Sequence, residues 1–135
     1  MRRGHSVKDV RPEHYIEAIY LLSRSGKASL SGVAEVLGVR PSSAHKMIKR
    51  LVEEGYATYR GRDGVELTER GLAEVERMNR AHRALAEFFK LLGVEEELAE
   101  VEAEKLEHVM DPAVVERIEE LTAAIRALLR AAGRL

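Results

Sequence analysis

Glu104, Glu107 and His108 recur at i, i+3 and i+4, a spacing that puts all three side chains on one face of a helix. Two carboxylates and an imidazole converging in one patch repel each other without a cation. His14 and Glu17 repeat the three-residue spacing near the start of the chain, and His82 stands between the two groups. Together these six residues form an oxygen-and-nitrogen donor set suited to Mn2+, Fe2+, Co2+ or Zn2+. Thiolate ligands and disulfides are both excluded, because the sequence contains no Cys. Composition offers a second reading of the same residues. The stretch 81–135 carries 12 Asp/Glu, and acid-rich helices produce Glu-x-x-Glu by chance on a solvated face. His82 is near Arg80 and Arg83, as a surface histidine would be.

A second constellation is basic. Ser42, Ser43, His45, Lys46, Lys49 and Arg50 occupy the polar faces of a segment whose apolar residues recur at helical spacing: Ala44, Met47, Ile48, Leu51 and Val52. No acid occurs between Glu35 and Glu53. Short or flat groups such as Ser42, Ser43 and His45 can approach base edges, while Lys46, Lys49 and Arg50 are placed to neutralise phosphates. Arg40 and Pro41 lead into this segment, and Arg60 and Arg62 follow it on a hairpin that would reach along a DNA backbone or into the minor groove. Each cation taken singly reads equally well as surface. The acid-free face, the tight turn before it and the arginine hairpin after it point jointly to DNA. Net charge is only −1, but it is unevenly distributed: residues 1–80 hold 15 Lys/Arg against 11 Asp/Glu, and the remainder 7 against 12. That asymmetry suits a polyanion-facing half joined to an acidic half.

The elements that must position these residues are mostly helical, since Leu and Ala dominate over β-branched types. A basic arm is expected over Met1–Val10, then a helix from Pro12 to about Ser23 with Ile16 and Ile19 in its buried stripe. Ser29 caps a short helix ended by Gly38, and Pro41 opens the third, closed by Gly55. Tyr56–Tyr59 and Val65–Leu67 read as two strands around Arg60-Gly61-Arg62-Asp63-Gly64, which carries hairpin signals. Thr68 caps a long helix to about Leu91, broken at Gly93. A fifth helix is expected over Glu95–Met110, and Asp111-Pro112 starts a last one reaching Ala131. The expected fold is mainly α: an N-terminal winged helix-turn-helix domain with a small two-stranded wing over residues 1–70, then a helical metal-binding and dimerisation domain over residues 71–135.

From about Glu13 to Leu128 the sequence resembles the diphtheria toxin repressor family of metal-dependent transcriptional regulators, especially its shorter manganese-transport-regulator branch. The match is carried by Tyr15-Ile16-Glu17-Ala18-Ile19-Tyr20-Leu21-Leu22, Val33-Ala34-Glu35-Val36-Leu37-Gly38-Val39, Pro41-Ser42-Ser43-Ala44, Lys46-Met47, Leu67-Thr68-Glu69-Arg70-Gly71, Ala81-His82-Arg83 and Glu104-x-x-Glu107-His108, in family order and at family spacing. The resemblance implies metal ligation by His14, Glu17, His82, Glu104, Glu107 and His108, with both late glutamates bridging a pair of ions. It also implies a homodimer formed through the helical half, a first helix ordered by metal, and closure of the dimer onto palindromic double-stranded operator DNA. Mn2+ is the favoured ion and Fe2+ the next, with Zn2+ and Co2+ as further candidates. His14 departs from the family, which has Asp or Met there, and makes the site richer in nitrogen. Ala86 replaces a glutamate of the iron branch's ancillary site, with Glu87 one position off the required face. The SH3-like domain of the longer branch has no expected counterpart.

The expected activity is metal-dependent transcriptional repression controlling metal homeostasis genes. The main rival is a winged-helix regulator without a metal sensor site. A dinuclear enzyme is a weaker rival, because the sequence shows neither a nucleophile constellation nor a Gly-rich phosphate loop. With no apolar run near the roughly 18 residues needed to span a bilayer and no signal-peptide pattern, a cytoplasmic location without membrane partners is expected.

Overall fold

The computed structural model describes residues 10–135; apart from Val10, the basic arm expected over Met1–Val10 lies outside them. Within the described residues the chain is mainly α, with six α-helices and one two-stranded antiparallel sheet. It divides into two compact units, the first running through Val75 and the second spanning Glu76–Leu135.

In the first unit, α1 (Pro12–Arg24), α2 (Leu30–Leu37) and α3 (Pro41–Glu53) pack around a small core. Ile16 and Ile19 from α1, Val33 from α2, and Ile48 and Leu51 from α3 are all buried there, as the helical periodicity predicts. The Ser29 hydroxyl accepts from the Gly32 N–H at 3.0 Å and caps α2. Gly38 ends that helix at φ 68°, in the left-handed region that favours glycine. These two signals confine α2 to eight residues and bring α3 in directly behind it, which is the helix-turn-helix.

Strands β1 (Ala57–Tyr59) and β2 (Val65–Leu67) form the wing, in the register Ala57 to Leu67 and Tyr59 to Val65. Their connection holds a single 3-10 turn at Gly61–Asp63. The loop before α2 also takes part: Ala28 bridges to Val65, and the Lys27 ammonium donates to the Arg62 carbonyl. Gly64 makes this approach feasible, since a Cβ there would lie 2.6 Å from the Ala28 carbonyl oxygen.

Helix α4 (Glu69–Leu91) is started by Thr68, whose hydroxyl donates to the Gly55 carbonyl at 2.6 Å and accepts from the Gly71 N–H at 3.2 Å. In the second unit, α4 continues beside α5 (Glu96–Leu106) and α6 (Pro112–Ala131). The unit's core is built largely on small residues. Ala81 and Ala84 meet Val115, while Leu85 and Ala86 meet Ala103, and Met110 packs against both groups. Alanine faces of this kind let helices approach closely. One boundary differs from the sequence expectation. Helix α5 ends at Leu106, not Met110, and residues 107–109 form a turn. Met110 is drawn into the core beside Ile118, and that packing reverses the chain before Asp111 caps α6.

Candidate metal centre and nucleic-acid interface

The second unit holds a chain of hydrogen bonds centred on His82 in α4. Its Nδ1 lies 2.7 Å from Glu107 Oε1 and its Nε2 lies 2.7 Å from Glu100 Oε1. Glu107 is buried, with only 5% of its surface exposed, and its second oxygen lies 3.7 Å from His108 Nε2. Glu100 also accepts from the Lys90 ammonium at 2.9 Å. Burial works against the charged form of His82, but hydrogen bonds to Glu100 and Glu107 outweigh it and raise its pKa above the ordinary value. Lys90 first, and His82 second, hold the Glu100 carboxyl below the usual carboxylate range.

The end of α5 explains how Glu107 reaches this position. Glu107 is the C-cap, still in right-handed helical conformation, with its N–H donating to the Ala103 carbonyl. It is therefore one turn beyond the buried Ala103 and shares its inward face. His108 follows in the turn, with its side chain only 11% exposed. Glu104 occupies the last full turn of α5 and is exposed. Among the described residues it takes no part in the hydrogen-bond chain around His82. The unit thus brings together His82, Glu107 and His108 and leaves Glu104 facing outward. Glu100 was not singled out from the sequence, although it stands at i−4 from Glu104 and i−7 from Glu107, a helical-face spacing.

In the first unit, His14 and Glu17 lie one turn apart on α1. His14 has a local structural role: its Nδ1 accepts from the Arg11 backbone N–H at 2.9 Å and satisfies the N-cap amide at the helix start.

The candidate nucleic-acid interface lies wholly within the first unit. Arg40 is the N-cap of α3 and Pro41 its first residue. Ser42, Ser43, His45, Lys46, Lys49 and Arg50 are all exposed, while Ala44, Ile48 and Leu51 anchor the opposite side in the core. Arg50 is partly engaged by Glu54, at 3.1 Å. Arg60 and Arg62 are exposed on the wing. A flat side chain on α3 also meets the wing: the His45 and Tyr59 rings stand 6.1 Å apart at 75°. Neither Tyr59 nor Lys27 was among the residues expected at this interface.

A short helix-turn-helix with a basic exposed face and a latched arginine wing defines a winged-helix DNA-binding protein, here joined to a helical unit with a buried carboxylate–imidazole cluster. Residues 10–65 match the N-terminal DNA-binding domain of the iron-dependent repressors, and residues 68–127 match their metal-binding and dimerisation domain. The chain belongs to this family of metal-dependent transcriptional regulators. It is 37% identical over 110 residues to the HTH-type transcriptional regulator MntR of Lysinibacillus sphaericus, covering 81% of this chain and 79% of that one. Among solved structures it is similar to ScaR with bound Zn2+, at TM-score 0.74 and 31% identity, covering 83% of this chain and 53% of that one. A manganese-dependent transcriptional repressor in complex with manganese matches at TM-score 0.69 and 29% identity, over 84% of this chain and 53% of that one. Among the described residues, no helix is long and apolar enough to cross a membrane.

Proposed function

We propose that the chain is a homodimeric repressor that binds operator DNA when its helical unit is loaded with Mn2+ or Fe2+, and that it governs metal homeostasis genes. The observation that carries this reading is Glu107. A carboxylate buried against His82 and His108 is costly to desolvate, and its neighbours are the imidazole donors that accompany carboxylate in borderline-metal sites. The residues present therefore fit a divalent transition metal. His82, Glu107 and His108 are the proposed donors within the helical unit. Glu104, in the last turn of α5, and His14 and Glu17 are further proposed donors on the strength of the sequence resemblance. With six such donors, a pair of ions per chain is the proposed stoichiometry.

When bound, the divalent cation supplies fixed positive charge that neutralises the clustered carboxylates. The chain's own residues do the rest. His82 would hold the ion through a ring nitrogen freed of its proton, which passes to solvent, and the Glu107 carboxylate is held in place by the last turn of α5. On the DNA side, α3 enters the major groove, with Ser42, Ser43 and His45 nearest the bases and Lys46, Lys49 and Arg50 on phosphates. In a twofold dimer, the two copies of α3 address successive major grooves about 34 Å apart.

A calorimetric titration of chelator-stripped protein with Mn2+, paired with DNA-binding anisotropy with and without Mn2+, tests the proposal. Wild type should take up about two ions per chain, the count of a two-metal site, and tighten on DNA. Glu107→Ala should lose both responses while keeping its helical circular dichroism. A Glu107→Ala variant that responds fully to Mn2+ would falsify the site assignment.

A further inference from the structure

His45 differs from the other polar residues of α3. Lys46, Lys49 and Arg50 are long, flexible cations suited to phosphate, whereas an imidazole is flat and short and turns about only two side-chain bonds. A group of that kind reads a base edge well only if its orientation is fixed before DNA arrives, because orientation acquired on binding costs affinity. His45 itself is exposed on the helix surface, and the residues beside it on the first turn, Ser42 and Ser43, are too small to brace it.

The brace comes from the wing. Tyr59 ends β1 on the same strand face as buried Ala57, and alternation along the strand turns that face toward α3, against which β1 packs. The Tyr59 ring remains 38% exposed and meets His45 at 6.1 Å and 75°. That is an edge-to-face arrangement, directional because the ring edge is positive and the face negative. The wing in turn is tied to the loop before α2 through the Ala28–Val65 bridge and the Lys27–Arg62 hydrogen bond. Tyr59 is thus held at both ends of its strand's environment, by core packing at Ala57 and by the latched hairpin.

We propose that Tyr59 is a positioning residue for sequence recognition: its ring orients His45 so that an imidazole N–H reads the acceptor edge of a guanine in the major groove. The base follows from the chemistry. An imidazole N–H is a single donor; adenine sets a donor amino group beside its N7 and thymine a methyl group beside its O4, whereas guanine presents two adjacent acceptors, N7 and O6, with no competing group between them. The inference rests on the DNA-binding reading of α3 and makes the wing and the recognition helix a single reading unit.

The test is selection from a random double-stranded DNA pool by full-length, Mn2+-loaded wild type, Tyr59→Phe, Tyr59→Leu and His45→Ala, followed by affinity measurements against salt on the selected site. His45→Ala should lose a guanine preference at one position of each half-site. Tyr59→Leu should weaken the preference at that same position by roughly threefold to tenfold, leaving other positions and the salt slope as in wild type. Tyr59→Phe, which keeps the ring, should behave as wild type. The proposal is overturned if Tyr59→Leu retains the wild-type preferences, if preferences fall evenly at all positions, or if His45→Ala changes none. A wild-type chain that selects no sequence at all would instead overturn the DNA-binding reading on which the inference rests.

Discussion

Single atoms decide several positions in this chain. Gly71 is the sharpest case. It lies in the first turn of α4, where a Cβ would stand 2.3 Å from the Tyr56 carbonyl oxygen, so even alanine forces the hairpin and the helix apart. Gly71→Ala is expected to destabilise the protein by about 1–3 kcal/mol, the usual cost of overpacking, read as a lower urea midpoint. The neighbouring surface shows the opposite tolerance. Arg70 lies over the Tyr56 ring at 4.5 Å and donates to its hydroxyl at 3.2 Å, a solvent-exposed contact. The cluster of His82, Glu107 and His108 that the second unit brings together was visible in outline from the sequence, because His82 and the Glu-His pair at 107 and 108 are rare types at a meaningful spacing. Glu100 was hidden by its company. The segment 95–107 contains seven glutamates, and spacing alone does not say which of them turn inward.

Elements were legible where punctuation is local. Pro12, Pro41 and Pro112 each open a helix in the structure, and Gly38 ends one. Two features lacked any local signal. The end of α5 is set by Met110 entering the core, a tertiary effect that no breaker in Glu107-His108-Val109-Met110 announces. The Ala28–Val65 bridge joins residues far apart in sequence and leaves no periodic trace. At this scale two predictions follow from named contacts. Thr68→Ala removes both the acceptor for Gly71 and the donor to Gly55, and should cost about 1 kcal/mol, as lost N-caps do, in thermal unfolding. Helices α4 and α6 are clamped by Arg80, which grips both oxygens of Glu119 at 3.0 and 2.7 Å. The Arg80 hydrogen bond lowers the Glu119 pKa, so the clamp stabilises fully above the unfolded carboxylate value. That contribution is lost as pH falls through the lowered folded value. Glu119→Gln should therefore remove part of the acid limb of a stability–pH profile while leaving the variation near neutrality unchanged.

For the whole molecule, charge placement outweighs net charge. A chain at −1 still presents Arg40, Lys46, Lys49, Arg50, Arg60 and Arg62 exposed in a single unit, and their field acts locally because salt screens it within about 10 Å. Affinity for DNA should accordingly fall steeply with salt. Lys46→Ala should flatten the slope of log affinity against log salt by roughly one unit while leaving base preference intact. Linkage between metal and DNA on one chain is reciprocal. Titrating Mn2+ in the presence of operator DNA should therefore show tighter binding by the same factor as Mn2+ tightens DNA, and a factor of one in both titrations would overturn the coupling.

The C-cap position of Glu107 has a consequence in time. Terminal turns open more readily than helix interiors, and here the amides of Glu107, Val109 and Met110 depend on bonds to the Ala103 and Leu106 carbonyls. If the proposed centre binds its ion through Glu107, occupancy there would lower the local opening frequency of this turn. Deuterium uptake at those three amides should slow on Mn2+ loading, while amides in the middle of α6 keep their rates, so exchange at the last turn of α5 would report whether the ion is bound.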